Sequence, residues 1–166
     1  MPFRRRRWDE QPAEPCDVLL ASDGRQDFSR RAVARAAALA ASGDRRVAVV
    51  TIAKIYGSAY GLPNPGLLPT KQEMAERRGW VNGAIRTLER EGVVADGQIA
   101  ATRRASKKLA AVARLRRPRV VVIDENPGRG WRRVVEGDVG SELRRKLRKD
   151  GIEVEVVPPD RAQSTV

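Results

Sequence analysis

Short runs rich in β-branched residues alternate along the chain with longer stretches of helical period, a pattern that predicts a parallel sheet covered by helices on both faces. The first run, Val18 to Ala21, ends in Ser22-Asp23-Gly24, and Ser29 is placed to N-cap a helix through the alanine-rich Ala32 to Ala41, closed by Ser42-Gly43. A second strand is expected from Val47 to Ala53. Lys54 to Thr70 then holds three glycines and three prolines, too many breakers for regular structure, and reads as a long loop. A helix from Lys71 to Glu91 follows, with Ile85 and Leu88 on its apolar stripe, Gly92 at its end, and Gly79 and Gly83 weakening it locally. The third strand is expected around Gln98 to Thr102, and the next helix at Ala105 to Leu115, with Leu109, Val112 and Leu115 inward and Pro118 as its stop. Val120 to Ile123 is a continuous apolar run, which suits a central strand buried on both faces. Val139, Leu143 and Leu147 recur at helical spacing, and Asp150-Gly151 precedes a last strand, Ile152 to Val157. Five strands, four helical segments and no internal repeat make one doubly wound α/β unit.

Length and composition agree with a single domain: 166 residues, 41% apolar, can bury one core. Residues 1–15 carry three prolines and charge blocks without apolar period, so they are expected to form a disordered basic arm containing Arg4 to Arg7; the domain then spans 16–159 and a flexible tail 160–166. The chain has no histidine and one cysteine, Cys16, which removes disulfides, Cys/His zinc sites and histidine-based acid–base catalysis. No stretch approaches the roughly 20 apolar residues of a membrane span, and no apolar segment follows Arg4 to Arg7 as in a signal peptide. A lone cysteine suits a reducing cytoplasm.

Charge changes the picture more. Lysine and arginine total 33 against 21 acidic residues, a net +12, and only six of the 33 are lysine, which leaves 27 arginines. Such a surplus favours anionic partners without naming one. Aromatic residues are 4% of the chain and its three tryptophans lie far apart, unlike the stacking platforms of single-strand nucleic-acid binders. From Gln98 to Val122 there is no acidic residue, while Arg103, Arg104, Lys107, Lys108, Arg114, Arg116, Arg117 and Arg119 contribute +8. A helix of that kind can hold a polyanion by salt-sensitive phosphate contacts, or be a solvated arginine-rich surface.

In a parallel sheet, ligands gather where strands end and helices begin. Two segments have suitable residues there: Ser22-Asp23-Gly24, whose carboxylate can accept ribose hydroxyls or an adenine amine, and the glycine-bearing stretch from Pro127 to Ser141. Gly128-x-Gly130 lacks the Lys-Ser/Thr of a P-loop and follows the fourth strand, so neither the P-loop nor the Rossmann fingerprint fits. Asp124 and Glu125 are neighbours that would diverge on a strand, a poor pair for a metal or a carboxylate dyad.

Taken together, VLLASDG at 18–24, VAVVTI at 47–52, VVVID at 120–124 and GRGWRRVVEGDVGS at 128–141 resemble the universal stress protein family over residues 16–159. The resemblance implies a strand order of 3-2-1-4-5, often a homodimer paired through the fifth strands, and an adenine-nucleotide site without catalytic residues, with slow ATP hydrolysis at most. By transfer, Ala21, Ser22 and Asp23 would face the nucleoside and Ile52 the adenine, while Pro127, Gly128, Gly130, Gly140 and Ser141 would surround the phosphates of ATP. ATP-binding members carry G-x2-G-x9-G-S/T after the fourth strand, and this chain fits that spacing in two registers. Pro127-x2-Gly130-x9-Gly140-Ser141 keeps three elements and could hold phosphate, although proline supplies no N–H. Asp124-x2-Pro127-x9-Gly137-Asp138 aligns the strand without a gap and puts Val139 and Leu143 inward, but offers carboxylates where phosphate should be received.

The expectation is therefore a non-catalytic stress-response protein with an ATP site that is either functional or degenerate, depending on the register. The alternative is an accessory protein that binds nucleic acid or another polyanion through Arg103, Arg104, Lys107, Lys108, Arg114 and the Arg4 to Arg7 arm. Glu153 and Glu155 on the last strand would repel their copies across a two-fold axis unless arginines intervene.

Overall fold

The apolar runs become five parallel strands of one sheet, ordered β3-β2-β1-β4-β5, in a computed structural model that describes residues 14–55, 68–125 and 138–159. The strands are β1 (Val18–Ser22), β2 (Arg46–Lys54), β3 (Val94–Thr102), β4 (Val120–Asp124) and β5 (Glu153–Val157). Four α-helices lie among the described residues: α1 (Arg30–Ala40), α2 (Lys71–Arg90), α3 (Ala105–Arg116) and α4 (Val139–Leu147), the last running into a 3-10 turn at Arg148–Asp150. The order is the one implied by the family resemblance. Val18 pairs in register with Val47 on one side and Val120 on the other, so β1 and β4, the most apolar strands, are central. The arm up to residue 13 and the tail from residue 160 lie outside the described residues, as do 56–67 and 126–137.

Alternation along the strands sorts the core into two layers. Val18, Leu20, Val47, Val49, Val120 and Val122 pack with Ala32, Ala36 and Ala40 of α1 and with Val81, Ala84 and Leu88 of α2. Leu19, Ala21, Val50, Ile52, Val121 and Ile123 pack with Leu109 and Ala113 of α3 and with Leu143 and Leu147 of α4. Each fully buried leucine contributes about 1.5–3 kcal/mol of transfer free energy, so these two layers hold the sheet between its helices.

Two sequence expectations are corrected here. β3 begins four residues earlier than the apolar pattern suggests, because Val94, Asp96 and Gln98 sit on an edge strand whose ladder to β2 runs from Arg46–Val94 onward without needing an apolar face. Leu115 is 66% exposed and not inward; the inward row of α3 runs through Leu109, Ala110, Ala113 and Arg116. Arg116 takes the buried place by lying its stem in the core and donating from its guanidinium to Asp96 on β3. The helix expected across Gly79 and Gly83 is present as α2, which Thr70 and Glu73 start with a reciprocal capping box.

Candidate functional site

Because all strands run one way, β1, β2, β3 and β4 end on the same edge of the sheet, and the order reverses between β1 and β4. A crevice is expected outside the strand ends at such a switch point. The β1–α1 corner there is tightly tied. Ser22 accepts from the Gly24 N–H at 3.1 Å and donates to the Gln26 carbonyl at 3.2 Å. Gly24 has φ +85, and a Cβ on it would come within 1.9 Å of the Ile52 carbonyl oxygen, so the loop closes against β2 only as glycine. The Arg77 guanidinium reaches from α2 to donate to the Gly24 carbonyl at 2.7 Å.

Asp124, at the end of β4, spends both carboxylate oxygens on the start of α1. The Ser29 N–H donates to Oδ2 at 2.9 Å and the Ser29 hydroxyl to Oδ1 at 2.5 Å, while Ser29 itself accepts from the Ala32 N–H at 3.0 Å. Asp124 is thus a tie between the central strand and α1.

A cavity of about 340 Å³ opens beside this corner, lined by Asp23 and Arg25 after β1, Lys54 at the end of β2, Arg103 to Lys107 at the β3–α3 corner, and Val139, Glu142 and Lys146 on α4. That volume lies at the lower end of the range for small-molecule sites. Six of its side chains are cationic and two are acidic. Asp23 accepts from the Arg25 N–H at 3.0 Å and pairs with the Arg25 guanidinium at 3.6 Å, and Glu142 accepts from the buried Ser106 hydroxyl at 2.5 Å. The field in the cavity is therefore positive and concave, which concentrates anions.

The structure brings Asp23 into the same cavity as Arg103, Arg104 and Lys107, two groups the sequence reading kept apart. Lys108 and Arg114 do not line it; Arg114 instead binds Asp150 at 3.0 Å and the Lys146 carbonyl at 3.2 Å, tying α3 to the end of α4. The side chains of Ala21 and Ile52 are wholly buried in the layer under α3 and α4, and Ser22 is 5% exposed with its hydroxyl engaged in the loop. Pro127, Gly128 and Gly130 lie outside the described residues. Arg25, Lys54, Val139, Glu142 and Lys146 escaped the sequence reading. The signal for Arg25 and Lys54 was their position at strand ends, which in a parallel sheet share one edge whatever their distance in sequence.

The start of α4 bears directly on the two spacings. Asp138 is the N-cap; its carboxylate accepts from the Gly140 N–H at 3.2 Å and from the Ser141 hydroxyl at 2.6 Å. Gly140 is 2.9 Å, counted from a hypothetical Cβ, from a methyl of Val156, so its missing side chain serves helix–strand packing. The described donors of the first spacing thus converge on a carboxylate of the chain itself. A phosphate charge about 4 Å from it would meet a repulsion of about 4 kcal/mol at an effective dielectric of 20.

Elsewhere, a groove of about 660 Å³ separates α1 from α2, lined by Phe28, Val33, Ala37 and Ala84 among others. Its lining is mostly apolar, with Asp27 and Arg30 at the β1–α1 end. Cys16 is buried beside Arg116; burial pushes its thiol above the usual range, against the opposing pull of that guanidinium. Among the described residues no helix is long and apolar enough to cross a membrane.

No family model and no curated protein matches the chain by sequence. Solved structures do match its fold. A universal stress protein UspA from Lactobacillus plantarum superposes with a TM-score of 0.63 at 12% identity, covering 88% of this chain and 99% of its own. A universal stress protein family member from Burkholderia pseudomallei gives 0.58 at 19% identity over 86% and 96%. The universal stress protein from Archaeoglobus fulgidus in complex with dAMP gives 0.56 at 16% identity over 88% and 98%. The chain has the universal stress protein fold.

Proposed function

We propose that this protein is a universal stress protein-like, non-catalytic binder of an adenine nucleotide, ATP in the first instance, acting in the cytoplasm in a stress response. The observation that carries the reading is the cationic cavity at the switch point of a universal stress protein fold, with Asp23 at its wall. A structural neighbour of the same fold is a complex with dAMP, which supports a nucleotide as the ligand class. In this reading Asp23 receives ribose hydroxyls or the adenine amine, and the surrounding cations balance the phosphates. The chain has no histidine, the described cavity wall has no paired carboxylates, and its one hydroxyl on a carboxylate, Ser106 on Glu142, is buried, so binding without turnover is the chemistry we assign to it.

A homodimer through the open edge of β5 belongs to the same reading. Glu155 is held by Arg35 of α1 at 2.6 Å, which removes one of the two repulsions expected across the axis. Sedimentation equilibrium that gives twice the chain mass supports it, and one that gives the chain mass overturns it.

The second reading, a polyanion-binding accessory protein, is favoured by one fact: Arg103, Arg104 and Lys107 stand together at the cavity mouth. Calorimetric titration with ATP, AMP and adenosine at low and moderate salt separates the two. Saturable binding that adenosine competes for and that weakens in Asp23→Ala supports the nucleotide site. Binding that ignores both and collapses with salt supports the polyanion reading.

A further inference from the structure

We propose that the phosphate chain of the bound nucleotide is received by Arg103, Arg104 and Lys107 at the β3–α3 corner, and that the site therefore selects nucleotides with a tri- or polyphosphate over monophosphates. This rests on the nucleotide reading above and specifies it: the anion centre lies beneath β3 and α3 and not at the start of α4, where the family-like glycine spacing would put it.

Three observations carry the inference. The α4 start is closed to anions, because Asp138 places a carboxylate there and takes the Gly140 and Ser141 donors. The cavity wall opposite is cationic, and among the described residues the side chains of Arg103, Arg104, Lys107 and Lys146 have no hydrogen-bond or ion-pair partner of their own. Other arginines of the chain, such as Arg78, Arg86 and Arg145, also lack a partner among the described residues, and what sets Arg103, Arg104 and Lys107 apart is that they line one cavity. Three adjacent cations without a partner, converging on one concave wall, form a receptor for several negative charges at close spacing. A monophosphate fills that receptor only in part. Asp23, on the β1 side of the same cavity, stays clear of it and is left to the nucleoside.

The first turn of α3 adds to this charge without carrying the argument. Arg104 is its N-cap and makes no side-chain cap, and the turn holds no acidic residue. Its positive dipole end therefore faces the cavity, with the Glu142 carboxylate on the Ser106 hydroxyl beside it.

The test is calorimetric titration of the full chain with ATP, AMP and inorganic tripolyphosphate. The variants are Arg103→Ala/Lys107→Ala, Asp138→Asn, and a charge control, Arg145→Ala/Lys149→Ala, which removes two exposed cations outside the cavity. Expected results are ATP binding about tenfold or more tighter than AMP, displacement of ATP by tripolyphosphate, and an ATP affinity that falls about tenfold or more in Arg103→Ala/Lys107→Ala. The same variant should change AMP affinity by less than about threefold, and the charge control should change neither. Because the substituted side chains are exposed, thermal melting should be unaltered in the cavity variant, which keeps binding separable from folding. The inference is overturned if that variant binds ATP like the parent protein, or if Asp138→Asn raises ATP affinity about tenfold, which would put the phosphates at α4 while leaving the nucleotide reading intact. If tripolyphosphate binds but neither nucleotide does, the nucleotide reading itself falls and the corner is an anion site of another kind.

Discussion

The β1–α1 and β3–α3 corners border one cavity, and they are built on opposite plans. The first is over-determined. Gly24 is pressed against the Ile52 carbonyl, Ser22 bonds within the loop, Arg77 reaches across to the Gly24 carbonyl, and Asp124 holds Ser29 by two oxygens. The second, among the described residues, is held by Thr102 Oγ1, which receives the Arg104 N–H at 3.1 Å, by the Ile55 N–H on the Thr102 carbonyl at 2.9 Å and by the Ser106 hydroxyl on Glu142, and its helix starts without a side-chain cap. In the proposed reading the closed corner fixes where a ligand sits and the open corner supplies the charge, which would assign stability and binding to different segments of one wall, as where functional sites depart from local structural preference.

The comparison can be broken most severely at Gly24. Gly24→Ala forces a side chain into the Ile52 carbonyl at positive φ, and should cost about 3 kcal/mol or more in a urea denaturation series. A loss under about 1 kcal/mol would mean that the corner yields and is not rigid. Asp124→Ala removes the acceptor of both Ser29 bonds and should cost about 2 kcal/mol, with Asp124→Asn losing roughly half as much because one oxygen remains.

At the open corner the sign should reverse. Arg104 has the extended backbone of an N-cap, φ −127 and ψ 93, so Arg104→Ser should stabilise the fold by about 1 kcal/mol while weakening ATP binding. Higher stability with unchanged binding would separate the missing cap from function. The smallest effect concerns Cys16. Burial raises its folded-state pKa, so the group adds no pH dependence below the unfolded value near about 8.5. Above that value the unfolded chain loses the proton first, and stability falls as pH rises through the raised folded value. Relative to Cys16→Ala, the parent protein should lose stability between pH 7 and pH 10, and its thiol should alkylate at pH 8 only as fast as the chain opens.

Much of the fold was legible because the strands are short, apolar and separated by glycine and proline, and because buried parallel strands carry little but Val, Ile, Leu and Ala. β3 was shortened in the reading because Asp96 and Gly97 break its apolar pattern, and an edge strand does not need one. Leu115 was misplaced because Leu reads as core, whereas the helix turned Arg116 inward to meet Asp96. The site was legible in parts. Asp23 and the basic run 103–107 were each visible, but their meeting was not, since about eighty residues separate them and only the parallel topology brings their corners together. The closing of α4 by Asp138 was present in the second spacing as a carboxylate next to Gly137, and its hydrogen bonds to Gly140 and Ser141 are what the sequence alone does not display.

Arg77 joins two features that belong to different length scales. Its guanidinium lies 4.6 Å from the Trp80 ring centroid while the Nη2 of the same group donates to the Gly24 carbonyl. A cation over an indole shifts the emission of that ring, so any displacement of the loop at Gly24 is carried to a chromophore one helical turn away. The protein thus holds an internal optical gauge of its β1–α1 corner, readable by steady-state fluorescence once Trp8 and Trp131 are replaced by phenylalanine.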